Sequence, residues 1–449
     1  MRIEELHLKN FRGFEQLDLK FPSSNLAVFI GVNGSGKSSI LDGIAIHLAQ
    51  FIYTLYKPSG LLSALVITDD DININSSQTE NVIQLSNKLD KNLVLEIKKN
   101  RDRSRFQLNK DDINRYKHDL LQSLEDDSNS SLPLLVYYQT KRIVVDSISR
   151  NYTLQGSSEN EEHKLSIRKS NQIEAYKTSF SNYINNFREF FDWFKEEEEY
   201  ENEVRLREDN NFKNPNLEIV RKALEKFLQG FPNTEFSDLH VVRVSSSREG
   251  GIRRLIKPSL VIKKNGKDFK LEQLSDGEKT LLMLVVDIAR RLAILNPGIT
   301  DASELLEKGK GIVLIDEVDL HLHPQWQRIV LPSFTRTFPN CQFIVTTHSP
   351  QVLSGVDREN VFILEDSKIV EVTPHTFGRD TNSILFEVMG VEKRPVQMQE
   401  RLDKCFEMID DGDLEAAKLE LQKLSEFLGN NDPEIVRGCT LIDFLNRVE

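Results

Sequence analysis

The chain has 449 residues, 39% hydrophobic and 29% charged, which is the balance of an ordinary globular protein long enough for more than one lobe. Its 70 acidic residues outnumber 58 basic ones, for a net charge of −12, so nucleic-acid binding by overall charge is excluded and any such contact needs a local basic patch. The three cysteines, Cys341, Cys405 and Cys439, are scattered without a C-x-x-C, which excludes a disulfide framework or a zinc hook; with no apolar run of membrane-spanning length and no leader pattern, a reducing cytoplasm is the expected location.

Residues 2–8 and 14–20 alternate apolar and polar positions and predict two strands joined by Asn10-Phe11-Arg12-Gly13. The run Leu26-Ala27-Val28-Phe29-Ile30 predicts a buried strand, and Ile40, Leu41, Ile44 and Leu48 mark one side of a helix from Lys37. Between them lies Gly31-Val32-Asn33-Gly34-Ser35-Gly36-Lys37-Ser38, a complete G-x-x-x-x-G-K-S loop. Strand, glycine loop and helix start together form a phosphate cradle, and a mere Gly/Ser-rich turn is the poorer reading. Backbone amides of Asn33, Gly34, Ser35 and Gly36 would curl around phosphate oxygens, with Ser39 just beyond. Lys37 would neutralise the β- and γ-phosphates of ATP, and the Ser38 hydroxyl would ligate Mg²⁺.

Pro58–Asn87, rich in Ser, Asn and Asp, reads as a loop, and Asn92–Lys99 with Arg105–Asn109 as a hairpin. Leu132–Tyr138 is an apolar strand interrupted by proline. From Asp146 to Glu235 the chain changes character, with helical patterns around Phe187, Phe190, Phe191, Trp193 and Phe194. The run Glu196-Glu197-Glu198-Glu199 reads as a solvated helix face, and the absence of sustained heptads predicts a compact helical insertion. Strands return at Leu239–Val244 and Leu255–Lys263, flanking Arg248, Arg253, Arg254 and Lys257, which read as a solvated hairpin rather than a DNA patch.

Leu274-Ser275-Asp276-Gly277-Glu278-Lys279 precedes a helix, so Ser275 and Gly277 sit where a helix N-terminus can receive an anion. Ile312-Val313-Leu314-Ile315-Asp316-Glu317 is a buried strand with two carboxylates at its end, the place where open α/β sheets bind ligands. Asp316 would hold Mg²⁺, and Glu317 would orient and deprotonate a water. Phe343-Ile344-Val345-Thr346-Thr347-His348-Ser349-Pro350 is a further strand ending in a histidine placed to donate to a γ-phosphate. His321 and His323 lack partners spaced to complete a metal site. A last apolar segment spans Val361–Leu364. After Thr373 the pattern is helical: Asp413 caps a stripe of Leu414, Ala417, Leu421, Leu424 and Leu428, Gly429 ends it, and Asp432-Pro433 starts another, for a tail of two or three helices. This tail serves either as packing on the core or as a docking surface.

At these residues the chain resembles ABC-type ATPase heads of the SMC/RecF-like superfamily. The likeness begins at Leu8-Lys9-Asn10-Phe11-Arg12-Gly13-Phe14, runs to the His348 loop, and omits the middle insertion. It implies an α/β fold: an ABC-type P-loop head of mixed sheet and flanking helices, with a helical insertion and a helical C-terminal tail. The expected division is 1–145 and 239–375 for the two ATPase lobes, 146–238 for the insertion and 376–449 for the tail. The resemblance also implies that Arg12 lies near the nucleotide phosphates and that Asp319–Pro324 faces a partner subunit. It implies that Gln139 stands where a glutamine loop reaches Mg²⁺, with Arg142 a candidate phosphate or partner contact. In such heads the signature loop, here Ser275, Gly277 and Glu278, caps nucleotide held by another copy, so a head-to-head homo-oligomer is expected.

A narrower resemblance, to PtuA-type ATPases of Septu anti-phage systems, rests on Phe190–Asn202, Phe377-Gly378-Arg379-Asp380-Thr381-Asn382, the Val391–Pro395 turn and Asn431-Asp432-Pro433-Glu434. It implies an ATPase that regulates a separate HNH-type nuclease. Asp411-Gly412-Asp413 matches the Asp-x-Asp of Toprim nucleases, but in a turn before a helix rather than at a strand end, and no H-N-H pattern stands in the chain. A RecF-like ATPase that clamps DNA and a slow-turnover ATP-binding scaffold are the alternatives.

Overall fold

The computed structural model describes residues 1–56, 65–87, 92–126, 130–140, 172–173, 175–180, 184–232, 234–244, 257–370, 373–392 and 394–448. In chain order the elements are β1 (Arg2–Phe11), β2 (Phe14–Lys20), β3 (Leu26–Gly31), α1 (Lys37–Tyr56), β4 (Gln78–Ser86), β5 (Leu93–Asn100), β6 (Gln107–Leu108), α2 (Asp111–Asp126) and β7 (Leu134–Tyr138). There follow α3 (Ile184–Arg207), α4 (Pro215–Leu228), β8 (Phe236–Val244), β9 (Lys257–Lys264), β10 (Lys267–Lys270), α5 (Asp276–Leu295), α6 (Ala302–Lys308), β11 (Gly311–Ile315) and α7 (Pro324–Thr337). The remainder are β12 (Cys341–Thr346), α8 (Pro350–Leu353), β13 (Val361–Glu365), β14 (Lys368–Ile369), α9 (Thr381–Glu387), α10 (Val396–Asp410), α11 (Leu414–Leu428) and α12 (Pro433–Val448).

The central sheet has the order β14-β13-β3-β12-β11-β7, and its strands are parallel except for β14. Every residue of β7, β11 and β12 is buried, as continuous apolar runs demand when helices cover both faces. A second, antiparallel sheet runs β2-β1-β4-β5-β6, and α1 packs between the two sheets. His47 on α1 hydrogen-bonds the Asn81 carbonyl of β4 (3.1 Å), fastening the helix to that second sheet. The fold is thus the expected α/β ATPase head. Contrary to expectation, one apolar stretch, Lys37–Leu55 of α1, is long and apolar enough to cross a membrane, yet it is mostly enclosed by the two sheets.

Other expectations need correction. Pro58–Asn87 is not all loop: β4 occupies Gln78–Ser86 in the middle of the second sheet, its alternate residues buried. Two of its inward positions are the polar Thr79 and Asn81, which dilute the apolar alternation that betrays a strand. Glu196–Glu199 is not simply solvated. Asn214 and Asn216, at the start of α4, donate to Glu197 (2.6 and 3.0 Å). Glu198 accepts the Val241 N–H of β8 (3.1 Å), and burial raises its carboxyl pKa, while Glu199 pairs with Arg243. The basic residues Arg248, Arg253 and Arg254 lie outside the described residues, as does Arg142.

The chain divides into two compact units, Met1–Arg379 and Asp380–Glu449. In the first, α4 packs on the ATPase core, with Phe227 4.7 Å from Phe334 and Phe231 5.1 Å from Trp326 between ring centres. The second holds α9 to α12, one helix more than the largest number expected, and α10 to α12 pack around Leu402, Cys405, Ile409, Leu421, Leu424 and Ile442. There Asp413 caps α11 as predicted, Gly429 ends it in a left-handed conformation, and Arg394 forks onto both oxygens of Asp432 (2.8 and 2.9 Å).

A fully buried ionic cluster ties α5 to β7. Asp287 accepts from Tyr138 (2.9 Å), Arg291 (2.8 Å) and Arg290 (2.9 Å), while Arg291 also donates to Ser179 and Thr178 (2.9 Å each). Burial alone would raise the Asp287 carboxyl; the guanidinium charges of Arg291 and Arg290 outweigh it and hold it below its ordinary value. Its stabilisation is therefore complete at neutral pH and is lost only as acid approaches that lowered pKa. Asp287→Ala removes the carboxylate that two buried guanidiniums share and is expected to cost about 3–5 kcal/mol, read as a lower urea midpoint at pH 7; an unchanged midpoint would show the cluster to be dispensable.

Candidate active site

Because β3, β11 and β12 run parallel, the residues that come after them converge at one sheet edge. A cavity of about 220 Å³ opens there, lined by Asn33, Gly34, Gly36, Lys37, Ser38 and Ser39 from the loop and start of α1, Asp316 and Glu317 after β11, and Thr346 and His348 at the end of β12. Three separated sequence motifs therefore share one wall.

Lys37 is buried, and its Nζ donates to the carbonyls of Gly31 (3.0 Å) and Val32 (2.9 Å), closing the loop on itself. Burial pulls its pKa below that of an ordinary lysine, opposed by the charges of Asp316 and Glu317. Gly36 adopts φ 103°, and a Cβ there would stand 2.4 Å from the Phe14 ring, so only glycine fits between β2 and the loop. Ser35 is also buried, and its hydroxyl has no hydrogen-bond partner.

Asp316 receives three hydroxyls: Ser38 (3.0 Å), Thr140 (2.5 Å) and Thr346 (2.6 Å). Its own N–H donates to the Tyr138 carbonyl (2.9 Å). Glu317 has φ 49°, a left-handed conformation uncommon for a side chain that is not Asn or Asp. Thr347 donates to Asp319 (2.5 Å) and Ser349 to Gln327 (2.8 Å), pinning the turn that carries His348. Sequence reasoning missed Thr140 and Thr346, since neither hydroxyl has a motif that pairs it with a carboxylate far along the chain.

The other expected residues lie elsewhere. Arg12 is not among the cavity-lining residues; it is held by Asp42 (2.5 Å) and Asp71 (2.9 Å), and Tyr137 donates to the other Asp42 oxygen (2.8 Å). Burial works to lower the Arg12 pKa, but its bonds and charge pairing with these two carboxylates prevail and raise it. Gln139 is half-buried and does not line the cavity, whereas its neighbour Thr140 reaches Asp316. Ser275, Gly277 and Glu278 also stand apart from it. Ser275 caps α5 in a reciprocal box with Glu278, whose carboxylate is clasped by Lys264 (2.6 Å). Burial of Glu278 is outweighed by these bonds, and its pKa falls below the ordinary value. A Cβ on Gly277 would lie 2.2 Å from the His321 carbonyl, so the signature helix rests directly on the loop after β11.

Known proteins are similar to this chain. Residues 26–354 match the family model described as "AAA domain, putative AbiEii toxin, Type IV TA system". The chain belongs to this AAA-domain family. The match runs from β3 past His348, so it contains every motif that meets at the cavity. The "Retron Vc95 probable ATPase" of Vibrio cholerae serotype O1 biovar El Tor is 30% identical, the alignment covering 90% of this chain and 81% of that protein. The "Septu protein PtuA" of Bacillus mycoides (strain KBAB4) is 32% identical over 35% of this chain and 22% of its own length. Among solved structures, an Smc head bound to the C-winged helix domain of ScpA is 19% identical with a TM-score of 0.42, over 83% of this chain and 98% of that one.

The cavity of this family member suits the triphosphate of a nucleotide. It offers a lysine and a glycine-rich turn at a helix N-terminus, and the same loop carries a buried hydroxyl, Ser35, that has no hydrogen-bond partner. Ser38 and Asp316 are hard oxygen donors already in contact, the ligand type that Mg²⁺ takes while keeping several waters. Lys37→Ala is expected to weaken ATP binding about 10–100-fold by calorimetry, the loss of one charge-assisted contact; unaltered affinity would remove Lys37 from the phosphate site.

Proposed function

We propose that this protein binds and hydrolyses ATP between paired heads, and that it governs a separate nuclease in anti-phage defence. The observation that carries the first part is the cavity in which Lys37, Ser38, Asp316, Glu317 and His348 meet, while Ser275, Gly277 and Glu278 of the same chain stand outside it. One chain thus presents a phosphate-binding half and, separately, a capped helix N-terminus able to receive an anion. Two copies facing each other would complete both sites, with Ser275 of one above nucleotide on the other. ATP would hold the pair together, and its loss would release it.

In this reading Lys37 and the loop amides bind the phosphates, and Ser38 and Asp316 hold Mg²⁺, which supplies charge neutralisation at the phosphate oxygens. Gln139 and Arg12 reach the nucleotide only if their loops shift. Glu317 orients a water and takes its proton as the water oxygen bonds to the γ-phosphorus. The bond from that phosphorus to the bridging oxygen breaks, leaving ADP and phosphate. His348 donates to a γ-phosphate oxygen. The similarity to a retron ATPase and to PtuA supports the defence role; an HNH-type nuclease as partner and the cytoplasm as location are further parts of the proposal.

Glu317→Gln tests this reading. It should bind ATP within about 3-fold of wild type, turn over roughly 10²–10⁴-fold more slowly, and accumulate as ATP-bound pairs of doubled mass. Wild-type turnover in that variant, or no ATP-dependent change in mass, would contradict it.

A further inference from the structure

Asp316 and Glu317 are neighbours in sequence, yet the hydrolytic roles proposed for them, on which the role of Thr346 rests, demand different settings. One carboxylate must lie in the cavity wall against Ser38, and the other must turn toward a water. The backbone bends at Glu317, which takes φ 49°. A left-handed residue other than glycine carries backbone strain and persists only where its surroundings over-determine it.

Thr346 is the residue that does so. It is completely buried at the end of β12, beside β11, and lines the cavity. Its hydroxyl donates to Asp316 Oδ1 (2.6 Å) and accepts the N–H of Glu317 (2.7 Å), while its carbonyl accepts the N–H of Val318 (2.9 Å). One side chain therefore fixes the carboxylate of Asp316, and one residue grips the backbone on both sides of the Glu317 turn. The donor–acceptor role needs a hydroxyl: valine has the same shape but would take away the acceptor of the Glu317 N–H and one donor of Asp316 Oδ1.

We propose that Thr346 is a positioning residue for ATP hydrolysis, setting the angle between Asp316 and Glu317. Thr140 holds the other oxygen of Asp316 (2.5 Å) and so complements it. Removing the Thr346 hydroxyl frees the Glu317 turn while the phosphate loop keeps its own lysine and amides. The loss should therefore fall on turnover rather than on nucleotide uptake.

The test compares Thr346→Val, Thr346→Ser and Glu317→Gln with wild type, reading kcat and KM for ATP, and the calorimetric affinity for ATP with and without Mg²⁺. Thr346→Val should lower kcat about 10–100-fold with KM within about 3-fold, as expected when an interaction matters mainly in the transition state. Its metal-free ATP affinity should match wild type, and its Mg²⁺-dependent gain in affinity should shrink. Thr346→Ser should restore kcat to within about 3-fold, since serine supplies the same donor and acceptor. Wild-type kcat in Thr346→Val, or an equal loss in Thr346→Ser, would overturn the proposal, as would a fall in metal-free ATP affinity that matches the fall in kcat. If Glu317→Gln turns over normally, the parent proposal of hydrolysis at Glu317 fails; if Glu317→Gln is slow and Thr346→Val is not, only the role of Thr346 fails.

Discussion

A carboxylate at the end of a fully buried strand has to be satisfied by its neighbours, because little water reaches it. Asp316 is that carboxylate, and its three hydroxyl donors come from the first turn of α1, the short segment after β7 and the last residue of β12. β11 lies between β12 and β7, with Ile315 level with Val345 on one side and Tyr138 on the other. That register sets Thr346 and Thr140 on opposite sides of Asp316. Ser38 then closes the ring from the phosphate loop, so one charge organises three elements widely separated in sequence. The phosphate loop, the acidic strand end and the histidine turn form one cavity because this strand order leaves them no other arrangement.

The signature loop is linked to this core in a similar way. Gly277 rests on the carbonyl of His321, in the loop that leaves Glu317. Farther along the same helix, Asp287 accepts from Tyr138, two residues before Thr140, and from Arg291. The helix that starts at the signature loop therefore touches both segments flanking Asp316. Lys264, at the end of β9, holds Glu278, and Glu198 of α3 holds the edge strand β8. Among the described residues, α3 is thus bonded to β8 and α4 packs against α7.

Much of this was legible in the sequence, and the residues show why. Strands β3, β11 and β12 are continuous apolar runs followed by glycine, acid or histidine, and periodicity alone finds them. β4 escaped because Thr79 and Asn81 face inward and satisfy themselves through hydrogen bonds rather than through apolar packing. The acidic run at Glu196–Glu199 looked solvated because its partners, Asn214, Val241 and Arg243, come from elements that only the fold brings near. Thr140 and Thr346 escaped for the same reason: a hydroxyl gains its role from a carboxylate reached through space. Arg12 carried a family expectation, yet here it is spoken for by Asp42 and Asp71.

The proposed division of one catalytic centre between two copies can be tested directly by mixing variants. Lys37→Ala removes the phosphate-binding half and spares the signature loop, whereas Ser275→Arg does the reverse. Each variant alone should be inactive. Mixed in equal amounts they can form a pair with one intact composite site, so ATP turnover should return to roughly a quarter of the wild-type rate, the share expected for random pairing of a two-fold dimer. No recovery on mixing, or full turnover by Ser275→Arg alone, would mean that each chain works without the other.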